Sequence, residues 1–597
     1  MSGLLLIAGS LRAADPQPYT VTLKPTGNGA LDAALQGSST LISLREKAPV
    51  GGFAMVQRAR DDKQRFETAL HSFGYYKATV SLTIAGHPLD DPSLPMMIED
   101  RPAEPPVEVV GSFDLGPRFR LGKVTISGQV PPDIPGHLNL ESGQPAVAAD
   151  VLAAQGRLLA ALQADGYPLA KVPTPVAILH PDQDLLDVEF QPDPGPQADI
   201  GPISFTGLKD MHESFVRRRL LLHQGERYSP QRIENARQDL ASLGVFSVVR
   251  ADPASALDPE GQLPVTFDLT ERPLHAVDAS VAYSTDLGIN VSTGWHHRNL
   301  FGNAEQLNLT AAAQLGGNAL VKPGYQVGAQ FLKPDFLARD QTLEVSLNAV
   351  KQSLQAYEQT ALLERIALNR KLSAHWTASI GLSGEQESIL QEGVTRHYNL
   401  IGLPASLRYD STTNPLNPTQ GIRASLLVTP TYSLGSTNST FLIMQLAGST
   451  YLDVFNDGRS VIALRGLVGK AAGVDVFGLP PDQRFYAGGS ATVRGYRYQT
   501  LGPQFPSGRP TGGTAISTGS VELRQRILGN YGVVGFVDVG QVTANGAPFT
   551  SNWRAGAGVG ARYYTPIGPI RLDVAVPLNR QPGGDAFELY VGIGQAF

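Results

Sequence analysis

The alternation of apolar and polar residues changes character once along the chain, near residue 274. Before it, apolar positions recur at three- and four-residue intervals in some segments and at two-residue intervals in others, the signatures of helices and half-buried strands. In the stretch from Ser229, Pro230 suits the first position of a helix behind a Ser cap, and Ile233, Ala236, Leu240 and Leu243 fall on one helical face. Gly244 then supplies a left-handed stop, and "VFSVVRADP" and "LPVTFDLTERP" alternate as strands. Beyond His275 the helical period disappears. "HAVDASVAYS", "QLNLTAAAQL", "LEVSLNAV", "IRASLLVTP", "YGVVGFVDVG" and "IRLDVAVPL" alternate between one apolar face and one of small and polar residues, separated by Gly, Asn, Asp and Pro.

The first region repeats. "GPRFRLGKVTISG" from Gly116 aligns with "GPQADIGPISFTG" from Gly195. Downstream, "LHSFGYYKATV", "LQADGYPLAKV" and "LASLGVFSVVR" each place Leu four residues before Gly, at Leu70 and Gly74, Leu162 and Gly166, and Leu240 and Gly244. Three copies of one strand, helix, helix, strand, strand module are predicted, with an opening strand near "PYTVTLKP" in the first. The boundaries are residues 16–114, 115–194 and 195–273.

The second region, 274–597, holds sixteen alternating segments, those at 288–299 and 357–371 among the weakest. A strand with its connection averages roughly twenty residues, the spacing of a membrane-spanning barrel. A soluble β-sandwich array fits poorly, because one face of so many strands is apolar and the other small and polar.

Composition narrows the chemistry. With 17% charged residues and a net charge of −6 there is no basic footprint for nucleic acid. The absence of cysteine excludes disulfides, thiolate metal sites and cysteine catalysis. The start, "MSGLLLIAGSLRAADP", pairs a short apolar run with small residues at Ala13 and Ala14, so residues 1–15 are expected to be the tail of a secretory signal. Neither a nucleophile elbow nor a phosphate loop is present, carboxylates are scattered, and no enzyme activity or cofactor is expected. His296 and His297 are adjacent, and neighbours on a strand point to opposite faces, so they make no metal set. Gly556, Gly558 and Gly560 in "AGAGVGARYY" continue a strand rather than open a helix, so they are expected to relieve crowding where the lumen is filled. "RYDSTTNPLNPTQGIR" from Arg408 reads as a strand, turn, strand motif with a structural role.

These modules resemble polypeptide-transport-associated (POTRA) domains, which precede outer-membrane barrels. The second region resembles the barrel of the same assembly superfamily, through "WHHRNLFGNAEQL", the Arg408–Arg423 stretch, "RFYAGGSATVRGYRYQ" from Arg484 and "GFVDVGQV" from Gly535. Val493-Arg494-Gly495-Tyr496 matches the family signature of a loop that folds back into the lumen, and Phe536-x-Asp538-x-Gly540 the strand motif it meets. A guanidinium in a restricted lumen requires carboxylates, so Asp538 is the first expected partner of Arg494 and Glu522 the next; Arg484 and Arg497 stay unassigned.

The resemblance implies POTRA repeats followed by a 16-stranded antiparallel transmembrane β-barrel. Relatives with five repeats are general barrel insertases, and those with two and a plug helix are two-partner export pores. Three repeats and "GPIRLDVAVPL" look most like the TamA family, outer-membrane subunits of the translocation and assembly module. That implies assembly of outer-membrane clients such as autotransporters, a periplasmic TamB-like partner, contact with outer-membrane lipid and location in a Gram-negative outer membrane. A lateral seam between strand 275–286 and the last strand is expected, carried by Phe587, Leu589, Val591, Ile593 and the terminal Phe597, with Gln595 interrupting the apolar row.

Overall fold

The computed structural model describes residues 16–284, 288–316, 322–436, 438–550, 552–566, 568–581 and 583–597, so the expected signal tail at 1–15 lies outside the described residues. Strands and helices of the first repeat are β1 (Tyr19–Leu23), α1 (Gly29–Ser38), α2 (Thr40–Ser43), α3 (Gly52–Ser72), β2 (Thr79–Ile84), β3 (His87–Pro88), α4 (Leu94–Glu99) and β4 (Val107–Asp114). The second comprises β5 (Arg120–Ile126), a 3₁₀ turn at Ile134–His137, α5 (Ala148–Ala164), β6 (Val176–His180) and β7 (Leu185–Phe190). The third has β8 (Ile200–Thr206), α6 (Glu213–Arg219), α7 (Pro230–Ser242), β9 (Phe246–Pro253) and β10 (Leu263–Glu271).

Only the third repeat follows the expected strand, helix, helix, strand, strand order. In the second, Pro131, Pro132 and Pro135 remove backbone donors where a first helix would form, leaving a 3₁₀ turn. In the first, α2 and α4 are additional, and α4 buries Leu94 and Ile98. All three sheets put the last strand in the centre, in the orders β1-β4-β2-β3, β5-β7-β6 and β8-β10-β9. Those central strands alternate in burial, and their inner face packs under the helices through residues such as Val107, Val109, Val188, Phe190, Val265 and Phe267.

The repeated Leu and Gly have separate tasks. Leu70, Leu162 and Leu240 are fully buried, and Gly74, Gly166 and Gly244 have φ of +90°, +95° and +73°. The carbonyl of Gly74 accepts from Phe119 N at 2.8 Å, and that of Gly166 from Ala198 N at 3.0 Å. The stops at Gly74 and Gly166 therefore also join one repeat to the next.

Asp62, on the buried face of α3 beside Ala59 and Phe66, caps α2 from a distance. It is fully buried, and its oxygens accept from Ser39 Oγ (2.7 Å), Thr40 N (2.9 Å), Thr40 Oγ1 (2.6 Å) and Leu41 N (2.9 Å), while Arg65 pairs with it at 2.9 Å. A buried carboxylate is stable only when so satisfied.

From His275 the chain forms one closed antiparallel barrel. Its segments are β11 (His275–Ser284), β12 (Gly288–His297), β13 (Gln306–Gln314), β14 (Gly324–Lys333), β15 (Gln341–Ser353), β16 (Glu358–Lys371), β17 (Trp376–Gln391), β18 (Val394–Gly402), β19 (Ala405–Asp410), β20 (Gly421–Gly435), β21 (Ser439–Asp453), β22 (Ser460–Ala472), β23 (Ala515–Leu528), β24 (Tyr531–Thr543), β25 (Arg554–Thr565), β26 (Gly568–Pro577) and β27 (Glu588–Ile593). Both β18 and β19 pair with β17 and with β20, in one unchanged register across Leu403 and Pro404. They are one wall strand interrupted at a proline, so the seventeen segments make sixteen staves.

The barrel inverts the usual burial rule. Val281, Ile366, Ile380, Val521, Val537 and Val559 point outward and are exposed, whereas Glu522, Arg524, Asp538, Arg562 and Asp573 are buried inside. Such a wall suits hydrocarbon outside and a polar interior. No helix among the described residues is long and apolar enough to cross a membrane, so any crossing is made by strands.

Replacing Asp62 by Ala removes the acceptor for two buried amides and two hydroxyls. We expect a loss of about 3 kcal/mol in the first repeat, read as faster hydrogen exchange over 39–72 with protection of the barrel strands unchanged.

Candidate functional site

Between β22 and β23 the chain makes a long excursion, residues 473–514, that folds back into the barrel. Its limbs pair at Phe485 with Gly513 and at Ala487 with Leu501. Ala487, Val493, Tyr496 and Leu501 pack against Ile516 and Val542 of the wall, so the loop has its own apolar core. At its tip Gly495 takes φ +93°, which lets the chain reverse where a Cβ would strike the backbone of Val576 and Pro577.

The reversal delivers Arg494 to the interior with no exposed surface. Its Nε donates to Asp538 Oδ2 at 2.8 Å and its Nη2 to Asp538 Oδ1 at 3.0 Å, while its backbone N donates to Oδ2 at 3.0 Å. Nη1 donates to Glu522 Oε2 at 2.9 Å and to Asp573 Oδ2 at 3.3 Å. The guanidinium carbon lies 3.3 Å from the centroid of the Phe536 ring. The two-point contact to Asp538 is the strong, direction-specific form of an arginine ion pair.

Two further arginines balance the three carboxylates. Arg524 Nε donates to Glu522 Oε1 at 2.8 Å, and Arg562 Nη1 to Asp573 Oδ1 at 2.5 Å. Register puts these groups at one level: Glu522 stands opposite Phe536, and Asp538, Phe536 and Asp573 stand opposite Gly556, Gly558 and Gly560. A Cβ on those glycines would overlap the Arg494 carbonyl, the Phe536 ring and the Asp573 carboxylate respectively. The three glycines are the space the ionic cluster occupies.

The structure thus brings Arg494, Asp538 and Glu522 together. Asp573, Arg524, Arg562 and Tyr590 were not anticipated, although Asp573 and Arg571 stand out as charges inside the alternating "IRLDVAVPL". Tyr590, buried on the inner face of β27, accepts from Gly495 N at 3.1 Å and donates to Tyr496 O at 3.4 Å. Tyr496 Oη in turn donates to Asn579 Oδ1 at 2.7 Å. Arg497 pairs with Asp585. Arg484 meets carbonyls rather than carboxylates, donating to Leu479 O at 3.0 Å, Thr511 O at 3.0 Å and Gln391 Oε1 at 3.1 Å.

The expected seam row needs correction. Leu589, Val591 and Ile593 do alternate along β27, but Phe587 precedes the strand, and β27 ends at Ile593. Gly594, with φ +89°, turns the chain inward, where Gln595 N bonds Leu416 O at 3.0 Å. Phe597 therefore leaves the edge and packs by Tyr451, 6.4 Å between centroids, under Arg465 at 4.8 Å, while its main-chain oxygen accepts from Arg524 Nη2 at 3.0 Å. The closing register pairs Ser284 with Tyr590. His296 and His297 do face opposite ways: His296 Nε2 contacts Asp278 Oδ1 at 2.5 Å, a partner sequence spacing had not suggested, whereas His297 lies 4.7 Å from the His275 ring. At the Arg408–Arg423 turn, Asp410 Oδ1 accepts from Thr412 N and Asn414 Oδ1 from Leu416 N, both at 3.0 Å.

Residues 299–597, half of the chain, match the Omp85 superfamily domain, and residues 198–272 match the POTRA family described as a surface antigen variable number repeat. The chain belongs to the Omp85 superfamily. This Omp85 chain is 22% identical over 555 residues to the outer membrane protein assembly factor BamA of Neisseria meningitidis serogroup B, covering 81% of the chain and 67% of that protein. Against BamA of Nitratidesulfovibrio vulgaris the figures are 21% over 500 residues, 79% and 61%. Among solved structures, BamA from Haemophilus ducreyi lacking POTRA domains 1–3 superposes with a TM-score of 0.66 at 18% identity, over 80% of this chain and all of that one. That likeness shows a shared fold.

Arg494→Ala strands three buried carboxylates against two arginines. It is expected to lower stability by about 3–5 kcal/mol, seen in detergent as a lower temperature for conversion of the compact gel band to the unfolded one. Arg494→Ala combined with Asp538→Ala should cost less than the two single losses added together. Additive losses would mean the pair is not coupled.

Proposed function

We propose that this chain is an outer-membrane assembly factor of the TamA kind, which inserts client proteins such as autotransporters without nucleotide hydrolysis. In this reading the barrel sits in the outer membrane of a Gram-negative bacterium, and the repeats lie in the periplasm, where a TamB-like partner and unfolded clients meet them. Kinship with the BamA proteins supports the assembly reading. The stretch "GPIRLDVAVPL" from Gly568, which resembles the TamA branch, supports the narrower reading.

One observation carries the mechanism. β27 is six residues long against ten in β11, because Gly594 turns the chain away, so the seam between them can contain at most a short ladder. An open strand edge is costly in hydrocarbon, and a short seam limits how much pairing must be exchanged when a client strand adds to β11. Tyr590 sits in the closing pair and also holds Gly495, so the inward loop and the closing strand share one residue. Within the repeats, β6 is an edge strand with Val176, Ile178 and Leu179 exposed, a template on which an extended client segment can add.

Photo-cross-linkers at Val277 and Val281 on β11 are expected to capture folding clients in membranes. Capture only at lumen positions beside Arg494 would instead identify an export pore and defeat the insertase reading. Deleting the gene should reduce surface autotransporters and leave porin levels unchanged; an equal fall in both would place the chain with the general insertases.

A further inference from the structure

The Arg494 cluster matches each carboxylate with an arginine, and a second cluster on another part of the wall does not. Glu385 and Glu387 alternate on β17 and share its inner face, and Asp482 reaches them from the turn Pro481–Gln483 at the entrance of the inward loop. One carboxylate oxygen from each residue lies within 4.8 Å of the other two. Among the described residues no arginine or lysine nitrogen comes within 4.0 Å of any of the three. Glu387 is 6% exposed, and its Oε1 is buried without a hydrogen-bond partner, as is Asp482 Oδ1. A buried, unpartnered carboxylate oxygen facing two more carboxylates has the character of a vacant ligand, since isolated buried charge is strongly unfavourable.

Neighbouring amides orient two of the carboxylates. Gln359 Nε2 lies 2.7 Å from Glu387 Oε2, and Gln483 Nε2 lies 3.2 Å from Glu385 Oε2. Gln359 is held in that orientation by Gln352 Nε2, which donates to its Oε1 at 2.6 Å, so the three carboxylates supply the ligands, all oxygen, with no nitrogen or sulfur. An all-oxygen set drawn largely from protein, with one ligand on a loop that can adjust, suits calcium better than magnesium, which demands a rigid octahedron and retains its waters.

We propose that Glu385, Glu387 and Asp482 form a calcium site that pins the entrance of the inward loop to β17. The tip of that loop is held by β23, β24 and β26 through Arg494. The cation gives the same loop a second anchor on a separate part of the wall. Arg484 flanks it, bonding Gln391 at the end of β17 at 3.1 Å.

The test uses the full chain in detergent, stripped with a chelator. Calcium chloride titrated by calorimetry should show one ion per chain, with a dissociation constant on the order of 10⁻⁴–10⁻³ M, and should raise the temperature at which the compact gel band is lost. Terbium should luminesce on tyrosine excitation, since Tyr486 donates to the carbonyl of Pro481 at 2.8 Å, beside Asp482, and calcium should displace it where equal magnesium does not. Glu387→Gln and Asp482→Asn, each verified as folded by the compact band, should weaken binding at least about tenfold. No binding by the wild type up to about 10 mM calcium would overturn the site and leave the carboxylates neutralised by protons. Unchanged affinity in a folded variant would overturn the assignment of ligands, and equal displacement by magnesium the assignment of calcium.

Discussion

A guanidinium held away from water can be accommodated only where carboxylates and acceptors surround it, and Arg494 sets that condition for the last third of the barrel. Its contacts reach β23 through Glu522, β24 through Asp538 and β26 through Asp573. Satisfying it dictates what may stand opposite on β25, which is glycine at three alternate positions. The loop is thereby tied to the wall by charge, and that part of the lumen is filled rather than open. Phe536 beneath the guanidinium adds an attraction that depends on exclusion of solvent.

The ionic cluster and the closing strand are one assembly in physical terms. Asp573 stands opposite Tyr590 in the register, and Tyr590 receives the amide of Gly495, one residue from the arginine. A rearrangement of β27 must therefore break a hydrogen bond to the loop tip. Movement of the loop changes in the same way the surroundings of the residue in the closing pair. This reciprocal dependence follows from shared side chains and needs no longer pathway.

Several of these features were legible in the sequence, and the exceptions have physical reasons. Leu70, Leu162 and Leu240 with their glycines could be read because helix period and a left-handed stop are local properties. Arg494, Asp538 and Glu522 could be paired because a buried guanidinium restricts its partners to very few residue types. Asp573 and Arg562 escaped because strand alternation does not say which staves face each other across a level of the barrel. Asp62 had a local sign, an acid in helical register with Ala59 and Phe66, but its partners on α2 belong to a cap made from a distance. Phe597 was misplaced by extending the alternation of Leu589, Val591 and Ile593 through Gly594, the one residue there able to reverse the chain. Glu385 and Glu387 share a face by strand alternation, but Asp482 comes from a turn too far along the chain for any spacing rule to add it to them.

The glycines that end the repeat helices also have a mechanical consequence. Because the Gly74 carbonyl holds Phe119 and the Gly166 carbonyl holds Ala198, successive repeats are not beads on slack cord. A side chain at Gly74 would press on the Ala146 carbonyl, whereas one at Gly166 would meet only the Arg227 side chain, so the first joint is the more tightly packed. A pull on the first repeat passes into the second, and from the second into the third, through backbone rather than through a linker that first has to straighten.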